Sequence, residues 1–397
     1  MKKNFELLAP AGSYEKMIYA FEFGADAVYA GLPDFSLRAR INKFDQSSIN
    51  EAINYAHEKN KKIYITVNIF AHNRHITELE KYLKLLKKNP PDALIASDIG
   101  VIELIRKILP GIKIHLSTQA NTTNWRAVKF WKKYGVDRII LARELSLEEI
   151  SEIHKKVPNI ELEYFIHGAM CMSYSGRCLL SAWKVGRSAN LGDCAQNCRW
   201  NYHLVEEKRP SEFIPVEQDM HGTYLLNSKD LCLIEHLDKL KGAGISSFKI
   251  EGRAKSVYYL SQVVKAYRSA LDLDANDAKK KIKIRKLKGD VSKLLNRTFT
   301  SGFLFGECKS RGQEVNFSHI NEEYSFVGEV VETKNEKLKM STFGRSAVGG
   351  KNENSEDKIY NLNSSLVKIK VHNALYVGDK IEIIQPKGEN IFCKIKG

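Results

Sequence analysis

Between residue 5 and about residue 270, short apolar runs alternate eight times with amphipathic stretches of helical period. The strand candidates are 5–9, 27–30, 63–67, 93–96, 113–117, 138–141, 162–166 and 247–250. Helical patterns at 14–23, 47–60, 77–87, 101–108, 124–134 and 146–156 separate the first seven, with apolar residues three and four apart. Short, wholly apolar strands joined by helices are the signature of parallel βα units, because parallel pairing needs a long crossover and buries both faces of the sheet. Eight such units close most economically into a (β/α)8 barrel of TIM type. An open doubly wound sheet is the structural alternative, although no G-x-G-x-x-G follows any of the strands to mark a dinucleotide site.

A barrel of this kind carries its chemistry at the carboxyl ends of its strands. Polar residues stand there: Asn68, Asp98, Gln119, Arg143, His167, and Glu251 with Arg253. Asp98 is expected to cap the helix that follows it. After the seventh strand comes an insertion from about 168 to 228, and connections of that length are usually functional. It holds four of the seven cysteines, as Cys171-x6-Cys178-x15-Cys194-x3-Cys198. Disulfides fit poorly, since oxidised frameworks belong to small secreted chains rather than to one of 397 residues. Structural zinc takes four thiolates too, but its ligands come as two closely spaced pairs. The wider spacing here favours an iron-sulfur cluster and leaves zinc as the alternative. Cys308 and Cys393 read as apolar filler, and so does Cys232 unless the stretch 227–231, expected to open a helix, brings it near the other thiols. His72 and His75 have helical spacing for a metal, without an acidic partner nearby.

Beyond the barrel the pattern changes. Residues 271–322 read as a basic helical connector, in which seven of the ten residues from Lys279 to Lys288 are Lys or Arg. Residues 323–397 read as a small all-β, barrel-like domain, with strands at 324–333, 338–343, 367–371, 380–384 and 391–395 and a polar loop at 345–363. The boundaries expected are therefore 1–270, 271–322 and 323–397. A net charge of +15 suits a polyanionic partner. No run of about 18 apolar residues occurs, which predicts a soluble, cytoplasmic protein with no membrane partner.

The segment from Glu163 to Ser181, reading EYFIHGAMCMSYSGRCLLS, resembles the signature of the collagenase-like "U-thirty-two" peptidase family. Matching stretches also occur at 7–12, 24–29, 192–194, 198–200, 227–231 and 249–253. The family name implies a peptidase, but the resemblance also implies relatives that hydroxylate tRNA, ribosomal RNA or the ubiquinone ring without oxygen, with a four-iron, four-sulfur cluster on four cysteines. Residues 194–200, 202–210 and 221–224 are most similar to the tRNA branch. That likeness implies 5-hydroxyuridine at the wobble position, prephenate as the source of the hydroxyl oxygen, and Cys171, Cys178, Cys194 and Cys198 as cluster ligands. Cys232 in place of Cys198 stays open, as some relatives draw the fourth thiolate from elsewhere.

On the residues themselves, H-E-x-x-H and G-x-S-x-G are both missing, which weakens the peptidase reading. The partners expected are tRNA and a small anionic co-substrate, with an accessory protein that hands over tRNA left open. Arg143 and Arg253 are candidate clamps for the anion, His167 the first candidate for proton transfer and Glu251 the second. Tyr174, Trp183, Trp200 and Tyr202 are candidates for stacking an unpaired base. A ribosomal RNA hydroxylase and an RNA-binding protein with structural zinc complete the alternatives.

Overall fold

The computed structural model describes residues 5–37, 39, 42–171, 173–200, 204–206, 209–214, 228–306, 324–333, 342–346, 357–362, 365–373, 375–376 and 378–395. By their internal contacts the residues fall into two units. The first takes residues 1–17, 26–254 and 297–320; the second takes 18–25, 255–296 and 321–397.

The first unit is a closed parallel barrel. Its strands are β1 (Glu6–Pro10), β2 (Ala27–Ala30), β3 (Lys62–Thr66), β4 (Ala93–Ala96), β5 (Lys113–Leu116), β6 (Arg138–Ile140), β7 (Glu161–Ala169) and β8 (Ser247–Ile250). Each pairs in parallel with the next, and β8 returns to β1 with Glu6 opposite Ser247. All eight strands lie where expected, within two residues except at the end of β7, which runs three residues further, so a mainly apolar run strongly specifies a strand buried on both faces. Their helices begin where side chains can satisfy free amides. Asp98 accepts from the Val101 amide at 3.0 Å, as expected, and Ser146 with Glu149 closes a capping box ahead of Leu147–Lys156. The helix Asn73–Leu86 starts four residues before the expected point. There the His72 amide donates to His75 Nδ1 at 2.9 Å, so this histidine pair begins a helix.

Two strands add to the barrel. Asp230–Cys232 pairs antiparallel with the end of β7, and Phe299–Thr300 pairs in parallel with it. The stretch 227–231 was expected to open a helix; Asp230 and Leu231 are instead strand, because the last residues of β7 outrun β6 and offer unpaired backbone. Asp230 is anchored by Arg297, whose guanidinium also donates to the Ser228 carbonyl at 2.9 Å.

Beneath the barrel's mouth lies a layer of buried charge. Arg138, 4% exposed, pairs with Glu6 and with Glu163 at 3.1 Å, and Glu163, wholly buried, takes Lys249 Nζ at 2.9 Å and Ser247 Oγ at 3.1 Å. Tyr64 donates to Glu6 at 2.7 Å. Burial pulls the Glu6 carboxyl up, but the charge and hydrogen bonds of Arg138 and the Tyr64 hydroxyl hold it below its ordinary range. Lys62 joins this network at Glu6 and Glu161 joins it at Arg138, both more than half exposed, so three acids and three bases run from the barrel's interior to its surface.

The second unit holds the helices Val257–Asp272 and Lys280–Ser292 and a six-stranded antiparallel sheet, in the order 357–362, 365–371, 324–333, 342–346, 380–384, 391–394. Its core is Val327, Val330, Ile369, Val371, Ile381, Ile383 and Ile395. Residues Asp357–Leu362 form a strand where a loop was expected. A strand at the edge of a sheet needs only one partner and tolerates polar residues, which hides it from hydrophobic patterning.

Candidate active site

One cavity opens at the carboxyl ends of the barrel strands, and the cysteine-bearing insertion forms its opposite wall. The barrel contributes Tyr29 from β2, Phe165 and Ala169 from β7 and Lys249 from β8. Asn68, Gln119, Arg143, Glu251 and Arg253 follow just beyond the strands. From the insertion come Cys171, Cys178, Cys194 and Cys198, with Gln196, Asn197 and Arg199.

The insertion is held down by polar contacts more than by a core. Ser175 gives its amide and hydroxyl to the Glu144 carboxylate at 2.7 and 2.9 Å, and Arg177 donates twice to the Gln119 carbonyl at 2.9 and 2.7 Å. Within it, Ala195 N donates to Ser181 Oγ at 2.9 Å and the Cys178 amide to Asn190 Oδ1 at 3.2 Å. Between 171 and 200 the chain forms one six-residue helix, Leu180–Val185, and three short 3-10 turns. Ser175 and Gln196 take left-handed backbone angles there, a strain that tight turns can impose.

The four thiols are free and half-buried. The Gln196 amide donates to Cys194 Sγ at 3.3 Å, and the Cys171 sulfur lies 3.0 Å from Ser173 Oγ. Burial pushes the Cys198 thiol up, Arg199 draws it down, and the neighbouring Cys171, Cys194 and Cys178 push it up again. Cys198 therefore lies within electrostatic reach of the other three thiols. Among the described residues, no three His, Cys, Asp or Glu side chains are grouped as ligands for a single metal ion.

A profile of Peptidase family U32 matches residues 12–314. The chain belongs to this family. Three curated relatives are similar to it. The tRNA hydroxylation protein P of Haemophilus influenzae is 38% identical over 98% of this chain and 88% of its own length. The collagenase of Porphyromonas gingivalis is 33% identical, covering 77% of this chain and 74% of its own length. The 23S rRNA 5-hydroxycytidine C2501 synthase of Escherichia coli is 38% identical over 68% of this chain and 39% of its own length.

In this U32 member the cavity brings together the four cysteines, Arg143, Glu251 and Arg253. Arg143 donates to the Ala169 carbonyl at 3.0 Å, and the Arg253 guanidinium to Ser36 Oγ at 2.6 Å and to the Leu37 carbonyl. Glu251 accepts from the Tyr29 hydroxyl at 3.0 Å. His167 is not brought to the cavity: it is 2% exposed and its ring packs 5.6 Å from that of Phe299. The glycine after it explains the tightness. Gly168 has φ +106°, and a Cβ there would lie 2.4 Å from the Glu251 carbonyl, so β7 and the chain after β8 approach as only glycine allows. Cys232 is buried in its strand, away from the cavity lining.

Trp183 is 78% exposed and Leu179 73%, beside half-exposed Tyr174 and Trp200. Tyr202, Cys308 and residues 221–224 lie outside the described residues. The run from Lys279 to Lys288 lies largely exposed along the helix Lys280–Ser292. Among the described residues no helix is long and apolar enough to cross a membrane. Sequence reading passed over Lys249 and Tyr29 as cavity residues. A lysine between Phe248 and Ile250 in a buried strand was the available signal.

Proposed function

We propose that this protein hydroxylates RNA without molecular oxygen, converting the wobble uridine of tRNA to 5-hydroxyuridine. Prephenate is the proposed oxygen donor, and a four-iron, four-sulfur cluster is held by Cys171, Cys178, Cys194 and Cys198. The observation that carries this reading is the convergence of four free thiols on a cavity that also holds Arg143, Lys249, Glu251 and Arg253. Soft thiolate donors suit iron-sulfur chemistry, and in a four-iron centre each thiolate meets its own iron, so thiols spread along a cavity wall fit that group. When bound, the cluster would supply the electron transfer or substrate activation that no side chain offers.

The chain's own residues would do the rest. The cavity cations attract the anionic co-substrate, and Glu251, held by Tyr29, is the carboxylate available to move a proton. Proton transfer is assigned to Glu251 rather than His167 because Glu251 alone of the two lines the cavity. Trp183 offers an open ring face to an unpaired base, and the basic helix Lys280–Ser292 a charge track for phosphates. The names of two of the three relatives support RNA hydroxylation.

Mass spectrometry of tRNA nucleosides from a strain lacking the gene is the test: 5-hydroxyuridine and its derivatives disappear, and an unchanged tRNA profile overturns the reading. The collagenase relative keeps proteolysis as the second reading. Purified protein incubated with gelatin is expected to leave it intact.

A further inference from the structure

Along the cavity floor, cations and aromatic rings alternate. The Arg253 guanidinium lies 5.6 Å from the Tyr29 ring, Lys249 Nζ lies 4.3 Å from the same ring and 5.4 Å from that of Phe165, and Arg143 lies 5.3 Å from Phe165. Ring faces attract cations without neutralising them, so the two guanidiniums and the ammonium, the latter also paired with Glu163, are held in a row. Among the charged residues of the cavity lining, Arg143, Arg199, Lys249 and Arg253 face the single carboxylate of Glu251.

Lys249 stands apart from the other two in the row. Arg253 spends donors on Ser36 and Leu37, and Arg143 spends one on Ala169, so both help to fix the surrounding loops. Lys249 is 4% exposed, yet it lines the cavity, and among the described residues its ammonium donates only to Glu163. An ammonium has three donors, so two remain. Facing the cavity, they are open to a ligand, and a carboxylate is a stronger partner for them than water. Glu163 cannot absorb more of the charge, since it is already shared with Arg138 and Ser247.

We infer that Lys249 is an anion-binding residue: it takes one carboxylate of a small polycarboxylate through the two N–H bonds that Glu163 leaves unused, with Arg143 and Arg253 supplying the flanking field. This rests on the reading that the site accepts an anionic co-substrate and names the residue that selects it. A ligand with two carboxylates bridges Lys249 and a flanking guanidinium; one with a single carboxylate engages only one of them.

Isothermal titration of the full-length, anaerobically purified protein tests it, with prephenate, which has two carboxylates, and phenylpyruvate, which has one. Prephenate is expected to bind at least about tenfold tighter, and Lys249→Met to weaken it on the order of 100-fold, the worth of charged hydrogen bonds lost from a buried site. Lys249→Arg keeps the charge and recovers part of the affinity. If Lys249→Met leaves Glu163 uncompensated and does not fold, Lys249→Met combined with Glu163→Gln removes both charges and is read instead. Prephenate affinity within about twofold of wild type in either variant overturns the inference, as does a wild-type protein that binds neither acid. The tRNA nucleoside profile of the strain lacking the gene is a separate readout: an unchanged profile with prephenate affinity lost in Lys249→Met sinks the reaction alone, and a profile lacking 5-hydroxyuridine with affinity kept in Lys249→Met sinks Lys249 alone.

Discussion

The floor of the cavity and its opposite wall are built on opposite plans. Beneath the floor, Lys249 of the lining leads through Glu163 to Arg138 and Glu6; the four come from four strands distant in sequence and are largely buried, each charge met by another within the barrel. The wall is one stretch of chain from 171 to 200, made of short turns, with half-buried thiols and exposed aromatic residues. Breaking such a network is costly, because a buried charge that loses a partner is left less compensated. The wall has few apolar contacts to set its geometry, so a group binding several of its thiols at once would add the cross-links that it lacks. The site thus joins an ion-paired surface to a segment held mainly by polar contacts.

The difference is broken most severely at the thiols. Cys178→Ser and Cys198→Ser are each expected to abolish iron binding and 5-hydroxyuridine formation while the barrel stays folded, read by iron analysis, visible absorption and nucleoside mass spectrometry. Cys232→Ala should keep the iron; its loss there would return the fourth ligand to Cys232. Next comes the charge layer under the floor: Arg138→Met takes the shared guanidinium from Glu6 and Glu163, leaving them Lys62 and Lys249, and should cost up to about 3–5 kcal/mol in denaturant unfolding. A much smaller loss would mean that water reaches this layer. Trp183→Ala removes a ring that is 78% exposed, so stability should change by less than about 0.5 kcal/mol. Its tRNA affinity should nonetheless fall by about 1–3 kcal/mol in a filter-binding or anisotropy titration, if the ring stacks a base. Smallest is the effect of acid. Because the Glu6 carboxyl sits below its ordinary 4.5 in the folded protein, its contribution is complete above that value and is lost as pH falls through the lowered one. Unfolding midpoints measured from about pH 5 down to about pH 3 should therefore fall more steeply for wild type than for Glu6→Gln.

The barrel was legible because its evidence is local. Runs such as Ala93–Ala96 and Ala27–Ala30 can only be strands buried on both faces, and Asp98 and Ser146 announce the helices they cap. The thiols were legible by their density. Two kinds of feature were not. Strands such as Asp230–Cys232 and Asp357–Leu362 exist only because another strand offers free backbone beside them, and their own composition does not reveal it. His167 read as a site residue because it ends a strand, but pairing on both sides of β7 and the Phe299 ring enclose it.

Residue pattern alone determined eight strands, their helices and a thiol-rich insertion on the catalytic side, since periodicity and ligand chemistry are properties of neighbouring residues. Tertiary structure alone decided that Lys249 faces the cavity while His167 does not, and that Arg253, Tyr29, Lys249, Phe165 and Arg143 stand in a row. Those are distances between side chains carried by different strands, and they come into being only when the barrel closes and its register is set.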